Sequence, residues 1–516
     1  MFVGKERRIQ KRLIQDCIAK HSACQTSDST SFLPSRLIDV RAYPDVRLIL
    51  QNEISANGQK DQRYVALSYC WGTRMPETGK ATTDKLETLR KGIELSQLPA
   101  TPRDAIKLTN LLGIPFLWVD SLCILQDDKQ DWAREASLMS KVYSRAYITI
   151  AAGASDHCDG GFIKASYSKK DLPVPRRGGY GMEWDFTTPA EEPNPWIRSF
   201  FRNPLFSRGW VLQERELSPR ILYFTTTHVV WECREEVCSY IRPLNRLSSL
   251  KIKYLDLDHF SSAWPFRCFD VPPDGKGFAM VRSGRAWPEK ATLVRFKTWQ
   301  SMIEDYSRRR LTVPTDKLPA IDGLAMEVQK LLQCDYLAGL WRGNLMRDLL
   351  WEKAGPEVMH AALDSSVYYA PSWSWALTNF PIIFRHDADD DDAEILDAGV
   401  TKNETGDGLV SGFIRMRARV LEVPKSHSIC FTPDNIEKEP REICTVCILR
   451  TREMREEQWG GREGQQLVQG YRPAGGRGLM LEAVKGSDSE YRRVGTVAWV
   501  PIEMLEGVEY QEFSII

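Results

Sequence analysis

The segment that most constrains the fold is residues 116–146, where a short apolar run is followed by a polar loop and a helical pattern. The apolar run at 116–119 is short and bounded by a proline and an aspartate, so it predicts a buried strand. A polar loop follows at 126–130. From Asp131, a residue type that favours helix N-caps, apolar side chains recur every three or four positions. We therefore predict a strand, a loop and an amphipathic helix in that order.

The same alternation extends over the neighbouring residues. Apolar runs at 64–70 and 147–152 predict two more strands, and a helix is expected to start near Thr101 and to end before Gly113. This order is typical of an α/β layer with a mostly parallel sheet flanked by helices. Sites in such sheets lie past the carboxyl ends of the strands. The candidate ligand-binding residues there are Ser68, Trp71, Gly72, Asp120 and Ser121.

Glu135 is the unusual member of the predicted helix. On a helical wheel it flanks the apolar stripe, and a carboxylate there costs free energy unless it is paired or lines a cleft. One interpretation is a structural ion pair with an arginine such as Arg103 or Arg208. The other is that Glu135 is a site residue.

Composition limits the class of protein. The 516 residues are enough for two to four domains, and Lys plus Arg balances Asp plus Glu at 69 each, so no global field favours nucleic acid. The N-terminus lacks the apolar run of a signal peptide, and the most apolar stretch, 111–125, is too interrupted to span a membrane. We expect a cytoplasmic protein with reduced thiols, no transmembrane segment and no nucleic-acid partner.

One helical face near the N-terminus carries Cys17, His21 and Cys24. Zinc could use these three residue types, but a tetrahedral site needs a fourth ligand and the neighbouring sequence supplies none. The favoured interpretation is a packed helix face with no metal.

Later residues indicate further segments. Helical patterns return at 299–310 and 317–332, and strand-like alternation dominates from about 410 onward, which predicts a small antiparallel β-domain. The expected division is therefore 1–61, an N-terminal helix and lead-in strands; 62–215, the α/β core; 216–400, a mixed helical and irregular region; and 401–516, a β-rich domain.

Four blocks carry a resemblance to a known family. They are YVALSYCWG at 64–72, the segment at 98–128, DWAREASLMSKVYSRAYITIAA at 131–152, and SRGWVLQERELSPRILYF at 207–224. Together they resemble the fungal heterokaryon incompatibility (HET) domain. The resemblance implies a role in non-self recognition, with cell death triggered on activation. It also implies a protein partner of an incompatibility system or self-association.

A second resemblance bears on mechanism. The strand, polar loop and Trp132-x-x-Glu135 opening of the helix are similar to part of TIR domains, in which a helix glutamate promotes cleavage of NAD⁺. The resemblance makes Glu135 the candidate catalytic carboxylate, with Arg208 as its expected counter-ion. The candidate ligand contacts also include Arg208, Trp71, Trp210 and Asp120. It leaves open whether the protein is an enzyme at all, and NAD⁺ enters as a candidate substrate rather than a bound cofactor.

Overall fold

The structure is a computed structural model. The chain forms two compact units, Met1–Met280 and Val281–Ile516. The structure describes residues 5–24, 32–56, 58–163, 203–226, 229–235, 237–239, 288–354, 369–385, 390–402, 410–424, 431–434, 443–452, 455–459, 468–472 and 474–516. These units are a coarser division than the four segments expected from sequence, and the four-segment division remains a prediction.

The first unit alternates helices and strands. Its helices are α1 Lys5–Lys20, α2 Gln51–Ala56, α3 Leu86–Lys91, α4 Ala100–Leu112, α5 Asp120–Cys123, α6 Lys129–Arg145 and α7 Gly209–Leu217. Its strands are β1 Arg36–Asp39, β2 Arg47–Leu50, β3 Tyr64–Tyr69, β4 Phe116–Trp118, β5 Ile148–Ala152, β6 Arg220–Phe224, β7 Val229–Cys233 and β8 Val237–Ser239. Short 3₁₀ turns occupy Ser22–Cys24, Glu77–Gly79 and Pro204–Ser207.

The eight strands of this unit form one sheet in the order β2-β1-β4-β3-β5-β6-β7-β8. Three of the seven strand pairings are parallel, and they join the central strands β4, β3, β5 and β6. The other four pairings are antiparallel. The expected α/β layer is present, but the sheet is mixed rather than mostly parallel. The hairpins β1–β2 and β6–β7 turn the chain back on itself, so the strands at both edges run against their neighbours.

The central strands form because most of their side chains are apolar on both faces. Every residue of β3, β5 and β6 is buried, as expected of parallel strands covered on both sides by other elements. The predicted strands at 64–70, 116–119 and 147–152 are confirmed within one residue at each end.

The helix ends show one difference from the sequence prediction and one agreement with it. Asp128, not Asp131, caps α6, because its side chain accepts hydrogen bonds from the backbone N–H groups of Gln130 and Asp131. Asp131 is thereby left in the first turn, where it is buried. The end of α4 is as predicted: Gly113 has φ 76° and its N–H bonds back to the carbonyls of Asn110 and Thr109.

The second unit combines helices with a β-rich part. Its helices are α8 Pro288–Ser307, α9 Pro319–Leu332 and α10 Leu345–Asp348, with short 3₁₀ turns at Pro314–Lys317, Arg342–Asn344, Trp375–Leu377 and Ile502–Leu505. Its strands are β9 Tyr336–Leu337, β10 Leu340–Trp341, β11 Trp351–Lys353, β12 Ile382–Phe384, β13 Asp390–Asp391, β14 Glu394–Lys402, β15 Val410–Pro424, β16 Phe431–Pro433, β17 Ile443–Arg452, β18 Arg455–Trp459, β19 Val468–Arg472, β20 Gly475–Ala483, β21 Glu490–Pro501 and β22 Tyr510–Ile515.

Five strands of the second unit close into a ring, β15-β17-β20-β21-β22, in which β22 returns to pair with β15. All but one of these pairings are antiparallel, which agrees with the expected β-rich region. Within the described parts of the chain, no helix combines the length and the apolar character needed to cross a membrane.

Candidate functional site

Polar side chains meet where the parallel strands end. Ser68 lies in β3, Trp71 and Gly72 follow it, and Asp120 and Ser121 follow β4. Because β3 and β4 are parallel neighbours, these residues come to one edge of the sheet. The structure therefore brings together the five candidate residues predicted at the strand ends.

The ends of the two strands are tied by hydrogen bonds. The Trp71 indole Nε1 donates to Asp120 Oδ2 at 3.0 Å, and the Tyr69 hydroxyl donates to Ser121 Oγ at 2.8 Å. Burial raises the pKa of Asp120, while Arg208 and the hydrogen bond from Ser121 N–H oppose that rise. Trp71 and Asp120 remain half-buried, so this part of the edge is open to solvent.

Gly72 makes the turn after β3 possible. Its φ of +81° lies in the left-handed region, and a Cβ at this position would lie 2.7 Å from Cβ of His157. Glycine thus lets the chain leave the sheet directly behind Trp71 and pass close to the residue 157 backbone.

Arg208 enters the same edge from the residue that precedes α7. Its Nη1 donates a hydrogen bond to the carbonyl oxygen of Tyr69. Burial works against its charge, but Glu214, Cys70 and Asp120 outweigh that effect and raise the pKa of Arg208. Trp210, in the first turn of α7, is half-buried. The structure thus places Arg208 beside Asp120 rather than with Glu135.

Glu214, on α7, is a further functional candidate. From the sequence, one of Gln213 and Glu214 was expected at the surface and the other in the core cleft, and neither was among the predicted site residues. It is 6% exposed, and burial raises its pKa to about 7, against opposing effects from Arg208, Ser68 and Tyr143. Its Oε2 atom is buried without a hydrogen-bond partner in the described part of the molecule. A carboxyl group that titrates near neutrality, with one oxygen unpaired, can both accept and donate a proton.

The residues around Glu214 are misleading about its burial. It lies in the run Gln213-Glu214-Arg215-Glu216, which has the composition of a solvent-facing helix turn. All four of these residues are buried in the structure. The available clue was that polar residues here sit between the apolar runs of α7 and β6.

Glu135 points inward, as expected, and is 1% exposed. Its Oε1 lies 3.6 Å from Arg36 Nη2 and 3.5 Å from Arg134 Nε, without a hydrogen bond to either. The predicted counter-ion Arg208 is therefore replaced by Arg36, from β1, and Arg134, from the same helix. This outcome matches the interpretation of Glu135 as part of an ion-pair network, although with different arginines.

Asp131 is the stronger partner of both arginines. Arg36 Nη2 and Arg134 Nη2 each donate a short hydrogen bond to it, and the Leu125 N–H donates at 2.8 Å. Arg36 also donates through Nε to the Cys123 carbonyl at 2.7 Å. The network joins β1, α5 and α6 and holds two buried carboxylates beneath the loop that follows Asp120.

The fold and the site together define an α/β domain with a partly exposed cluster of polar side chains, the strand-end site, at the carboxyl edge of a parallel strand core. Residues 64–214 match the family described as Heterokaryon incompatibility protein (HET). Residues 64–214 of the chain thus match a HET domain, and this segment runs from the first residue of β3 to Glu214. No curated protein and no solved structure matches the chain.

Proposed function

We propose that this protein acts in heterokaryon incompatibility, as a non-self recognition protein of a fungal cell whose activation triggers cell death. The observation that carries the proposal is the HET match, because every candidate site residue lies within residues 64–214. Activation would occur through a protein partner or through self-association, and we propose the cytoplasm as its location.

The test is induced expression in a filamentous fungus, scored by uptake of a vital dye. Expression of the full chain is expected to kill cells, alone or after fusion with a strain that carries the partner. A matched control is the Glu87→Gln variant, which alters an exposed carboxylate paired with Arg90 and should kill as the parent does. Survival of every fusion tested against a panel of incompatible strains would reject the proposal.

We propose as a second function that the strand-end site cleaves NAD⁺, as the similarity to TIR domains implies. The specific support is that one edge of the sheet combines an aromatic ring, a cation and a carboxyl group whose pKa is near neutrality: Trp71, Arg208 and Glu214. Trp71 would stack on a flat ring and Arg208 would bind a phosphate oxygen. Asp120 would hold ribose hydroxyls.

In this reaction the bond between ribose C1′ and the nicotinamide nitrogen breaks. Nicotinamide leaves with the bonding pair as a neutral molecule, and a water oxygen bonds to C1′. The water proton passes to a carboxylate, which also stabilises the positive charge that develops on the ribose. Glu135 is the carboxylate that the sequence resemblance assigns to this role. The raised pKa of Glu214, its unpaired oxygen and its proximity to Arg208 favour Glu214 instead.

The roles of Glu214 and Glu135 are distinguished by incubating concentrated protein with NAD⁺ and measuring the nicotinamide released. Loss of the proton acceptor should lower the rate by about 100-fold or more. Glu214→Gln and Glu135→Gln are compared with Asp348→Asn, which alters a buried carboxyl whose pKa is also raised to about 7 but which lies in the other unit.

Each result assigns a role. If only Glu214→Gln loses NAD⁺ cleavage, the reaction occurs at the strand-end site. If only Glu135→Gln loses it, the reaction occurs at the ion-pair network. If the parent protein releases no nicotinamide, even when it is clustered, the proposed NAD⁺ cleavage is rejected. The incompatibility proposal is not affected by that result.

A further inference from the structure

The N-terminal helix and a distant strand bring four metal-ligand side chains together. Cys17 lies in the last turn of α1, His21 follows it, Cys24 ends the next 3₁₀ turn, and Cys233 is the last residue of β7. Their ligand atoms all lie within 4.8 Å of one another, and Cys233 Sγ lies 3.4 Å from His21 Nδ1. The fold thus supplies the fourth ligand that was missing from the local sequence.

The spacing suits a tetrahedral metal ion. Zinc–sulfur bonds of about 2.3 Å place two sulfur ligands about 3.8 Å apart at tetrahedral angles. A cluster in which no pair of ligand atoms exceeds 4.8 Å needs only small side-chain rotations to reach that geometry. Three thiols and one imidazole form one of the standard ligand sets of structural zinc sites.

The surroundings also fit a bound cation with thiolate ligands. Cys17, Cys24 and Cys233 are 1%, 0% and 4% exposed, and none of the three is in a disulfide. The backbone supports the chelating turn, since His21 N–H donates to the Cys17 carbonyl and Cys24 N–H donates to the His21 carbonyl. Arg220 donates to the Cys24 carbonyl at 2.7 Å. Three thiolates with one Zn²⁺ carry a net charge of −1, which the Arg220 guanidinium can offset.

We propose that Cys17, His21, Cys24 and Cys233 bind a structural Zn²⁺ ion. On binding, each thiol loses its proton to solvent and each sulfur donates an electron pair to zinc, with the imidazole neutral. Four protein ligands leave no open position for water, so the site is structural rather than catalytic. Its effect is to fasten α1 to β7, which lies outside the segment that matches the HET family.

The test begins with the full chain purified under reducing conditions, incubated with ZnCl₂ and desalted. Elemental analysis is expected to find about one zinc per chain. Co²⁺ in place of Zn²⁺ should give the intense visible absorption of a tetrahedral ion with thiolate ligands. A chain that retains no zinc, or a cobalt complex without that absorption, overturns the proposal.

Variants identify the ligands. Cys233→Ser and Cys17→Ser should lower zinc to below about a tenth of an ion per chain. Cys158→Ser is the matched control, since Cys158 is equally buried but outside the cluster, and it should retain zinc. If the ligand variants do not fold, the parent protein is treated with a thiol-reactive reagent instead. Three thiols are expected to react for each zinc ion released. Retention of zinc by both ligand variants, or a disulfide among the three cysteines in the reduced preparation, would contradict the site.

Discussion

The indole N–H of Trp71 donates to the carboxylate of Asp120 at 3.0 Å and so joins the ends of two adjacent parallel strands. The bond fixes the ring that we propose as the stacking surface and the carboxylate that we propose as the ribose contact. Both residues are half-buried, which keeps them accessible from one side.

A double-mutant cycle should detect this bond. Trp71→Phe removes the donor and Asp120→Asn removes the charge, and hydrogen bonds to charged groups contribute about 1.5–3 kcal/mol. We expect the two variants to be coupled by at least about 1 kcal/mol in the free energy of unfolding, measured in urea. Additive effects of the two substitutions would show that the bond does not contribute to stability.

The Arg36 network should be essential for folding. Replacing Arg36 by Met leaves the Asp131 and Glu135 carboxylates buried with only the half-exposed Arg134 nearby, and uncompensated buried charges cost about 3–5 kcal/mol. Chemical denaturation should show a loss of that order. Arg134→Met is the control, because its side chain is 56% exposed and its loss should cost less than about 1 kcal/mol. Equal losses in the two variants would refute this assignment.

The pKa of Glu214 should appear in the pH dependence of stability. Because burial raises its pKa from 4.5 to about 7 in the folded state, the folded protein binds more protons than the unfolded chain between those two values. Glu214 therefore lowers stability progressively as pH rises from about 4.5 to about 7, by an amount on the order of a few kcal/mol.

Glu214→Gln removes that titration. Measured by denaturation at several pH values, the variant should gain stability relative to the parent as pH rises from about 5 to about 8. A constant difference between variant and parent over this range would mean that Glu214 titrates normally.

Alanine substitutions at two glycines should distinguish the cost of backbone strain from the cost of a steric clash. Gly58 and Gly72 both have positive φ, at 59° and 81°, but only a Cβ on Gly72 meets neighbouring atoms. Gly58→Ala should cost about 1 kcal/mol from strain alone, whereas Gly72→Ala should cost about 2–3 kcal/mol and displace Trp71. Thermal denaturation gives the two stabilities, and tryptophan fluorescence reports the displacement. Equal costs for both variants would show that the His157 contact yields without penalty.

Local patterns in the sequence predicted the central strands and the end of α4. The runs that became β3, β4 and β5 are almost entirely apolar, which is sufficient to identify strands buried on both faces. The predicted start of α6 was wrong by three residues. Asp128 and Asp131 are both residue types that cap helices well, and only Asp128 accepts hydrogen bonds from the unpaired backbone N–H groups of the first turn.

Contacts between distant residues account for what the sequence could not predict. Arg36 lies 95 positions from Asp131, and His21 lies 212 positions from Cys233. Neither pairing leaves a periodic signal, since each depends on which strands become neighbours in the sheet. The sequence could not choose between Gln213 and Glu214 for a related reason, because the burial of Glu214 arises from the packing of α7 against the core rather than from its own neighbours in the chain.

The sheet continues past the segment that gives the family match. Strand Arg220–Phe224 lies beyond residue 214 and pairs along Ile148–Ala152, the last strand within the match. A polypeptide trimmed at the matched boundary would leave that central strand with bare amide and carbonyl groups, a template on which further chains stack. Such a fragment should precipitate, and a well-behaved shortened protein should extend at least through Cys233.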